Sequence, residues 1–280
     1  DPKMDFVFKN IFGSEKHPNI LISFLNATLK PKDLITAVEI KNTDLNKGYI
    51  EDKFSRLDVK ATTSNNEIIN IEIQLKNEYN MIKRSLFYWS KLYSEQLNEG
   101  EDYSVLKRTI CINILNFKYL KTRKFHSGYR LKEIYSNEEL TDVAEIHFIE
   151  IPKLEEGTDE KDMLVAWIEF LKNPESEKVR SLEMSIDEIR EAKDELIRMS
   201  NDDTQRELYE MRAKTLKDKI SALNEAERKG IKKGRQEGIK EGEKSKAIEI
   251  AKSLINIGLD KETISKSTGL TLSEIEKLID

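Results

Sequence analysis

Across 280 residues the chain holds one cysteine, three histidines and five prolines. The lone Cys111 lies in the apolar run Ile110–Leu115, so no internal disulfide can form. His17, His126 and His147 are far apart and have no metal-ligand spacing with Cys111, which leaves them as surface or core histidines. No apolar run reaches the roughly 18 residues that a spanning helix needs, and no signal peptide is present, so a soluble cytoplasmic protein with no membrane partner is expected. Asp1 stands where a Met would begin a native chain, so a few more residues are expected ahead of it. There is no GxSxG, no phosphate-binding P-loop and no GxGxxG, so serine-hydrolase and nucleotide-binding readings have no support. Strong charge of one sign is missing too. A net charge of −5 makes the whole molecule a poor magnet for nucleic acid, and any such binding must come from a local patch.

What is present suits a core plus a polar helical portion: 38% of residues are apolar and 35% charged. The most informative stretch is Ser55–Lys76. Leu57, Val59 and Ala61 alternate with Asp58, Lys60 and Thr62; then Ile69, Ile71, Ile73 and Leu75 alternate with Asn70, Glu72, Gln74 and Lys76. Period-two alternation around Ser64-Asn65-Asn66 reads as a β-hairpin with one apolar face. An odd loop of three or five residues sets Asp58 opposite or diagonal to Glu72 on the polar face; an even loop would turn one of them into the apolar side. Opposite residues have Cβ atoms about 4.5–5.5 Å apart, and like charges there are destabilising. A proton or a cation must sit between them, and Mg²⁺, which binds through one or two carboxylates plus phosphates and water, answers that need. A hairpin that merely carries Asp and Glu toward solvent is the plain alternative.

These residues, taken with their neighbours, resemble the PD-(D/E)XK nuclease superfamily, and more narrowly its recombination-promoting nuclease (Rpn) and transposase-like branch. The resemblance rests on Asp5-Phe6-Val7-Phe8-Lys9-Asn10-Ile11-Phe12, on Arg56-Leu57-Asp58-Val59 and on Glu72-Ile73-Gln74, where Gln takes the usual Lys place. It is close over about the first 150 residues and looser beyond. It implies a metal-dependent DNA endonuclease that leaves a 5′-phosphate and a 3′-hydroxyl. Asp58, Glu72 and the Ile73 carbonyl would hold Mg²⁺ or Mn²⁺, and Gln74 would orient the attacking water. Asp5 would hold a second metal or its water. Lys9, ahead of Lys60 or Lys76, would replace the ammonium missing at Gln74. Roles in recombination, mobile elements or phage defence are implied as well, as is a short C-terminal form of the same chain acting as a partner. Because Gln74 departs from the pattern, a weak or inactive nuclease fold that binds DNA or a partner is the competing reading, and a helical assembly protein is a third.

The remaining elements follow from periodicity. Helices are expected at Lys3–Phe12 and Asn19–Leu29, and a strand at Leu34–Ile40. A helix with Ile82, Leu86, Trp89, Tyr93 and Leu97 on its buried face should end near Gly100; its other face carries Arg84, which reaches either a phosphate or only solvent, with Tyr88 and Lys91. Arg108–Phe117 reads as a central strand, with further strands at Phe125–Ile134 and Glu145–Ile151. This is an α/β fold, a restriction-endonuclease-like mixed sheet flanked by helices, followed by a mostly α-helical region. The division expected is 1–155 for the nuclease core, 156–225 for a helical extension and 226–280 for a Gly-periodic helix and small helical module.

In the last of these, Gly230, Gly234, Gly238 and Gly242 fall at four-residue spacing. Each costs roughly 1 kcal/mol against Ala in a helix, so a homodimer through close-packed C-terminal helices is one explanation and a flexible linker another. Arg228, Lys229, Lys232, Lys233 and Arg235 could track DNA backbone, though Glu227, Glu237 and Glu241 are interspersed. The tail spacing resembles a helix-turn-helix, but Ser273, Glu274, Glu276 and Asp280 make an acidic reading helix. That favours an assembly module over a DNA reader.

Overall fold

A computed structural model describes residues 1–41, 58–155, 157–158 and 161–279; Ser55, Arg56 and Leu57 of the expected hairpin lie outside them. The described chain forms two units, Asp1–Ala213 and Lys214–Asp280.

The first unit is built on a six-stranded mixed sheet in the order β1-β2-β3-β4-β6-β5. The strands are β1 (Val38–Lys41), β2 (Val59–Thr63), β3 (Ile68–Gln74), β4 (Thr109–Leu115), β5 (His126–Lys132) and β6 (Glu139–Glu150). β1, β2 and β3 pair antiparallel, while β3, β4 and β6 run parallel. β5 returns antiparallel on β6. The expected strand at Leu34 begins only at Val38, and Leu34 is 70% exposed.

The hairpin turns through Ser64–Asn66. Thr63 N donates to Glu67 O at 3.0 Å, and Asn66 adopts φ 60°. This three-residue loop ends in a left-handed residue that Asn tolerates. Val59 pairs with Ile71 and Thr62 with Ile68. Continued by one residue, that register sets Asp58 opposite Glu72, as the parity of the loop requires. One part of the expectation is corrected: β3 is buried on both faces, so its polar side does not meet solvent.

On one face lie α1 (Asp5–Phe12), α2 (Pro18–Leu29), α4 (Met163–Lys172) and α6 (Asp187–Asn201). Their core is aromatic. Phe12 stacks on Phe8 at 4.5 Å and meets the rings of Phe24 and Trp167 edge-on at 5.4 and 5.3 Å. Helices from the 156–225 region therefore share one core with the N-terminal helices. A short helix, α5 (Glu177–Glu183), stands between α4 and α6.

The other face of the sheet is covered by α3 (Met81–Ser94). Its orientation differs from the sequence reading. Met81, Ser85, Tyr88 and Leu92 are buried, whereas Ile82 and Leu86 are 47% and 49% exposed. The cause lies in the strand face beneath, which carries Asn70, Glu72, Cys111 and Asn113 and asks for polar partners. Ser85 Oγ accepts a hydrogen bond from Asn113 Nδ2 at 2.9 Å, and Arg84 meets Glu72. Satisfying buried polar groups outweighs hiding two aliphatic side chains that remain only half exposed.

The second unit contains the later part of α7 (Asp203–Asn256), α8 (Lys261–Thr268) and α9 (Leu272–Ile279). Ala251, Ile264, Leu270 and Ile275 make its small core, with Leu278 packed against it. Gly269 closes α8 at φ 74°, as a C-terminal glycine does. Thr271 and Glu274 form a reciprocal capping box on α9. No helix among the described residues is long and apolar enough to cross a membrane.

Candidate active site

Asp58 enters at the edge of β2, half-buried, and its Oδ2 accepts a 2.7 Å hydrogen bond from the Ile73 amide. Glu72, on the neighbouring strand, is 2% exposed. The hairpin thus presses two carboxylates together in a place where water does little to screen them. Burial pushes the Asp58 carboxyl well above its ordinary range, and the charge of Glu72 adds to the effect. Burial likewise raises Glu72 to about 7, against the opposing pull of the Arg84 guanidinium.

Arg84 Nη2 donates to Glu72 Oε2 at 3.3 Å. The second oxygen, Oε1, is buried and has no hydrogen-bond partner among the described residues. Asn70 stands beside the same carboxylate and helps hold its pKa down, yet among the described residues neither polar atom of its buried side chain reaches full hydrogen-bond geometry. Such orphaned groups cost about 1–3 kcal/mol each, so they need a reason. A divalent oxygen-seeking cation fits this donor set: an unused carboxylate oxygen, a second carboxylate opposite and a nearby backbone carbonyl. Among the described residues no group of three or more His, Cys, Asp or Glu side chains is arranged to hold a metal. Two carboxylates suffice for Mg²⁺ when substrate phosphate and water complete the shell.

The other expected residues are placed unevenly. Asp5 lies near enough for its charge to raise Asp58, but its Oδ2 is paired with Arg212 Nη1 at 3.0 Å. Lys9 follows one turn later on α1, half-buried. Lys60 is engaged by Glu95 at 3.3 Å, across from α3. Gln74 closes β3, its carbonyl accepting from the Asn116 amide at 2.9 Å. Cys111, beneath α3 beside Asn70, has its thiol pushed up to about 12 by burial and by Glu72, which makes it inert packing. A cavity of about 350 Å³ lined by Phe6, Met199 and Tyr209 contains none of the expected metal ligands.

One polar cluster was missed by sequence reasoning. On the opposite face of the sheet, Glu145 Oε2 accepts from Arg108 Nη2 and Arg130 Nε, each at 2.5 Å, and Oε1 pairs with His147 Nε2 at 2.6 Å. His147 Nδ1 lies 2.9 Å from His126 Nε2, with the rings stacked. Burial opposes ionisation of Glu145, but hydrogen bonds from His147 and Arg108 hold it down to about 2. Burial and its neighbour His147 lower His126 to about 4. Five strand and loop positions from residue 108 to 147 converge here, and only the alternation Glu145-x-His147 within an apolar run hints at it.

In the second unit the acidic residues of α9 are internally paired. Glu274 caps its own helix and meets Lys244 at 2.8 Å, and Glu276 meets Lys261 at 3.1 Å. The sequence objection to a DNA reader loses force accordingly, because these carboxylates are partly neutralised.

The chain matches known families over nearly all its length. Residues 244–280 match the family described as Rpn/YhgA-like nuclease family, C-terminal HTH domain, so the tail is similar to a helix-turn-helix domain. No curated protein and no solved structure matches. PD-(D/E)XK nucleases generally depend on a divalent metal, and the two family matches support a nuclease-like, transposase-related function. With residues 2–226 matching the family described as PD-(D/E)XK nuclease family transposase, and with a mixed sheet that presents paired carboxylates under α3, the chain belongs to that family.

Proposed function

We propose that the protein is a metal-dependent DNA endonuclease in which Asp58, Glu72 and the Ile73 carbonyl hold Mg²⁺ or Mn²⁺. The observation that carries this reading is the buried Glu72 Oε1, without a hydrogen-bond partner among the described residues, on the residue that the hairpin register sets opposite a second carboxylate. When bound, the ion supplies positive charge at a phosphoryl oxygen and lowers the pKa of a nearby water. Asp58 keeps its orientation through the Ile73 amide, so the ligand geometry is set by the ladder itself. Gln74 orients the attacking water but carries no charge. Lys9, one turn from Asp5 on α1, is the cation expected from the sequence for the phosphate, and Asp5 is the candidate for a second ion. Water oxygen bonds to phosphorus, the bond to the 3′ oxygen breaks, and that oxygen takes up a proton. The products are a 5′-phosphate and a 3′-hydroxyl.

DNA is the proposed substrate, with the helix-turn-helix domain as a second contact and a homodimer through the C-terminal helices as the assembly. A plasmid-nicking assay with Mg²⁺ or Mn²⁺ tests this. Wild type should cut, and Asp58→Ala and Glu72→Ala should not. The competing reading, a fold that binds DNA without cutting it, is favoured by Gln74 and by the helix-turn-helix match. Salt-sensitive DNA binding with no cutting by the wild type would establish it.

A further inference from the structure

The polar face beneath α3 already contains a cation, and it is neither Lys9 nor Lys60. Arg84 reaches Glu72 Oε2 at 3.3 Å from the first turn of α3. Its guanidinium lies over the Tyr88 ring, 5.3 Å from the centroid, and Tyr88 is buried against Leu92 and Cys111. The side chain is 21% exposed, and its Nε is buried with no hydrogen-bond partner among the described residues. A guanidinium stacked on an aromatic ring loses little further freedom, and it offers a fork of donors that fits phosphate oxygens. Glu72 therefore divides its two oxygens: Oε2 goes to Arg84, and Oε1 has no hydrogen bond from any described residue.

Resting on the nuclease reading, we propose that Arg84 supplies the positive charge that Gln74 cannot. Oε1 of Glu72 faces the divalent ion, while Arg84, held at Oε2, presents its remaining N–H groups to the scissile phosphate. No proton moves at Arg84, which stays charged throughout. It donates hydrogen bonds to the non-bridging oxygens as their charge grows, while water oxygen bonds to phosphorus and the bond to the 3′ oxygen lengthens. Two cations on one carboxylate also repel each other, so Arg84 weakens the binding of the ion that it works beside.

The test couples calorimetric titration with Mn²⁺ alone to nicking of supercoiled plasmid. Arg84→Gln should bind Mn²⁺ several-fold more tightly and yet cut about 100-fold more slowly, the scale of losing one donor to transition-state charge. Arg84→Lys, which keeps the charge and loses the fork, should retain at least about a tenth of the wild-type rate. It also serves if the Gln variant fails to fold. In the Arg84→Gln background, Gln74→Lys should recover most of the rate. Weaker Mn²⁺ binding together with slower cutting would mark Arg84 as a prop for the fold and overturn the proposal. So would an Arg84→Lys rate as low as that of Arg84→Gln, or no recovery from Gln74→Lys. If wild type cuts and Arg84→Gln cuts equally fast, this assignment alone fails; if wild type does not cut, the nuclease reading fails and this falls with it.

Discussion

Glu72 and Glu145 are both buried carboxylates on the same sheet, and the protein treats them in opposite ways. Glu145 has every oxygen engaged by Arg108, Arg130 and His147, and its pKa drops to about 2. Glu72 keeps one oxygen without a partner among the described residues, faces another carboxylate, and rises to about 7. A charge that is fully paired in low dielectric holds structure together, whereas a charge left half-satisfied is poised to receive something. Burial is the largest influence on both, so the difference comes from the partners.

The sharpest way to separate the two is to neutralise each. Glu72→Gln should lower metal-dependent nicking by about a thousandfold or more while shifting the folding free energy by no more than about 1 kcal/mol, read by nicking rates and denaturant melts. Glu145→Gln takes away one acidic partner of Arg108 and of Arg130, which keep Glu67 and Glu139, so it should destabilise the fold by about 1–3 kcal/mol. Cutting per folded molecule should stay at the wild-type level. If the two variants exchange these phenotypes, the distinction between them is wrong.

Acidity offers a second lever. Because the folded pKa of Glu72 is raised, the protonated form is favoured in the folded state. Its contribution to stability is full below the unfolded pKa near 4.5 and is lost as pH rises through about 7. A divalent ion needs the ionised form. The rise in melting temperature on adding Mg²⁺ should therefore be larger at pH 8 than at pH 6, by about a few degrees. Equal rises at both pH values would place the ion elsewhere. The Glu145 site carries the opposite sign: its stabilisation is present above the unfolded value and fades as pH falls toward about 2.

A smaller effect probes the neighbours of Glu145. A Cβ at Gly128 would meet His147 Cε1 at 3.0 Å. Gly128→Ala should therefore nudge the ring and cost about 1 kcal/mol in thermal stability, with no change in nicking. Smallest of all, Lys261→Ala removes one exposed pair with Glu276 in the second unit. It should cost less than about 1 kcal/mol, as read from the melting of that unit.

Much of this site is legible in the order of the residues alone. The strict alternation on both sides of Ser64-Asn65-Asn66 dictates the parity, and parity sets Asp58 and Glu72 on one face, opposite or diagonal; the three-residue loop then makes them opposite. The face of α3 is not legible in the same way. Spacing marks which residues share a side of a helix, but it says nothing about what lies beneath, and beneath α3 lie Asn113 and Glu72. Spacing leaves Arg84 either reaching a phosphate or merely facing solvent, because its partner is on a strand twelve positions earlier. The Glu145, His147 and His126 cluster is invisible for a related reason. Its members come from two strands whose pairing no local pattern announces, and histidines without ligand spacing look alike whether buried or exposed.

The Asp58 anchor has one more consequence. Its carboxylate is tied to a main-chain amide of the neighbouring strand, so the two acids meet only when the ladder is in its native pairing. A slip of two residues would keep every aliphatic side chain on its proper side and bring Asp58 against Asn70, an amide. A mispaired chain of this kind lacks the paired acids that the proposed ion needs, and they come together only with the last correct rung of the hairpin.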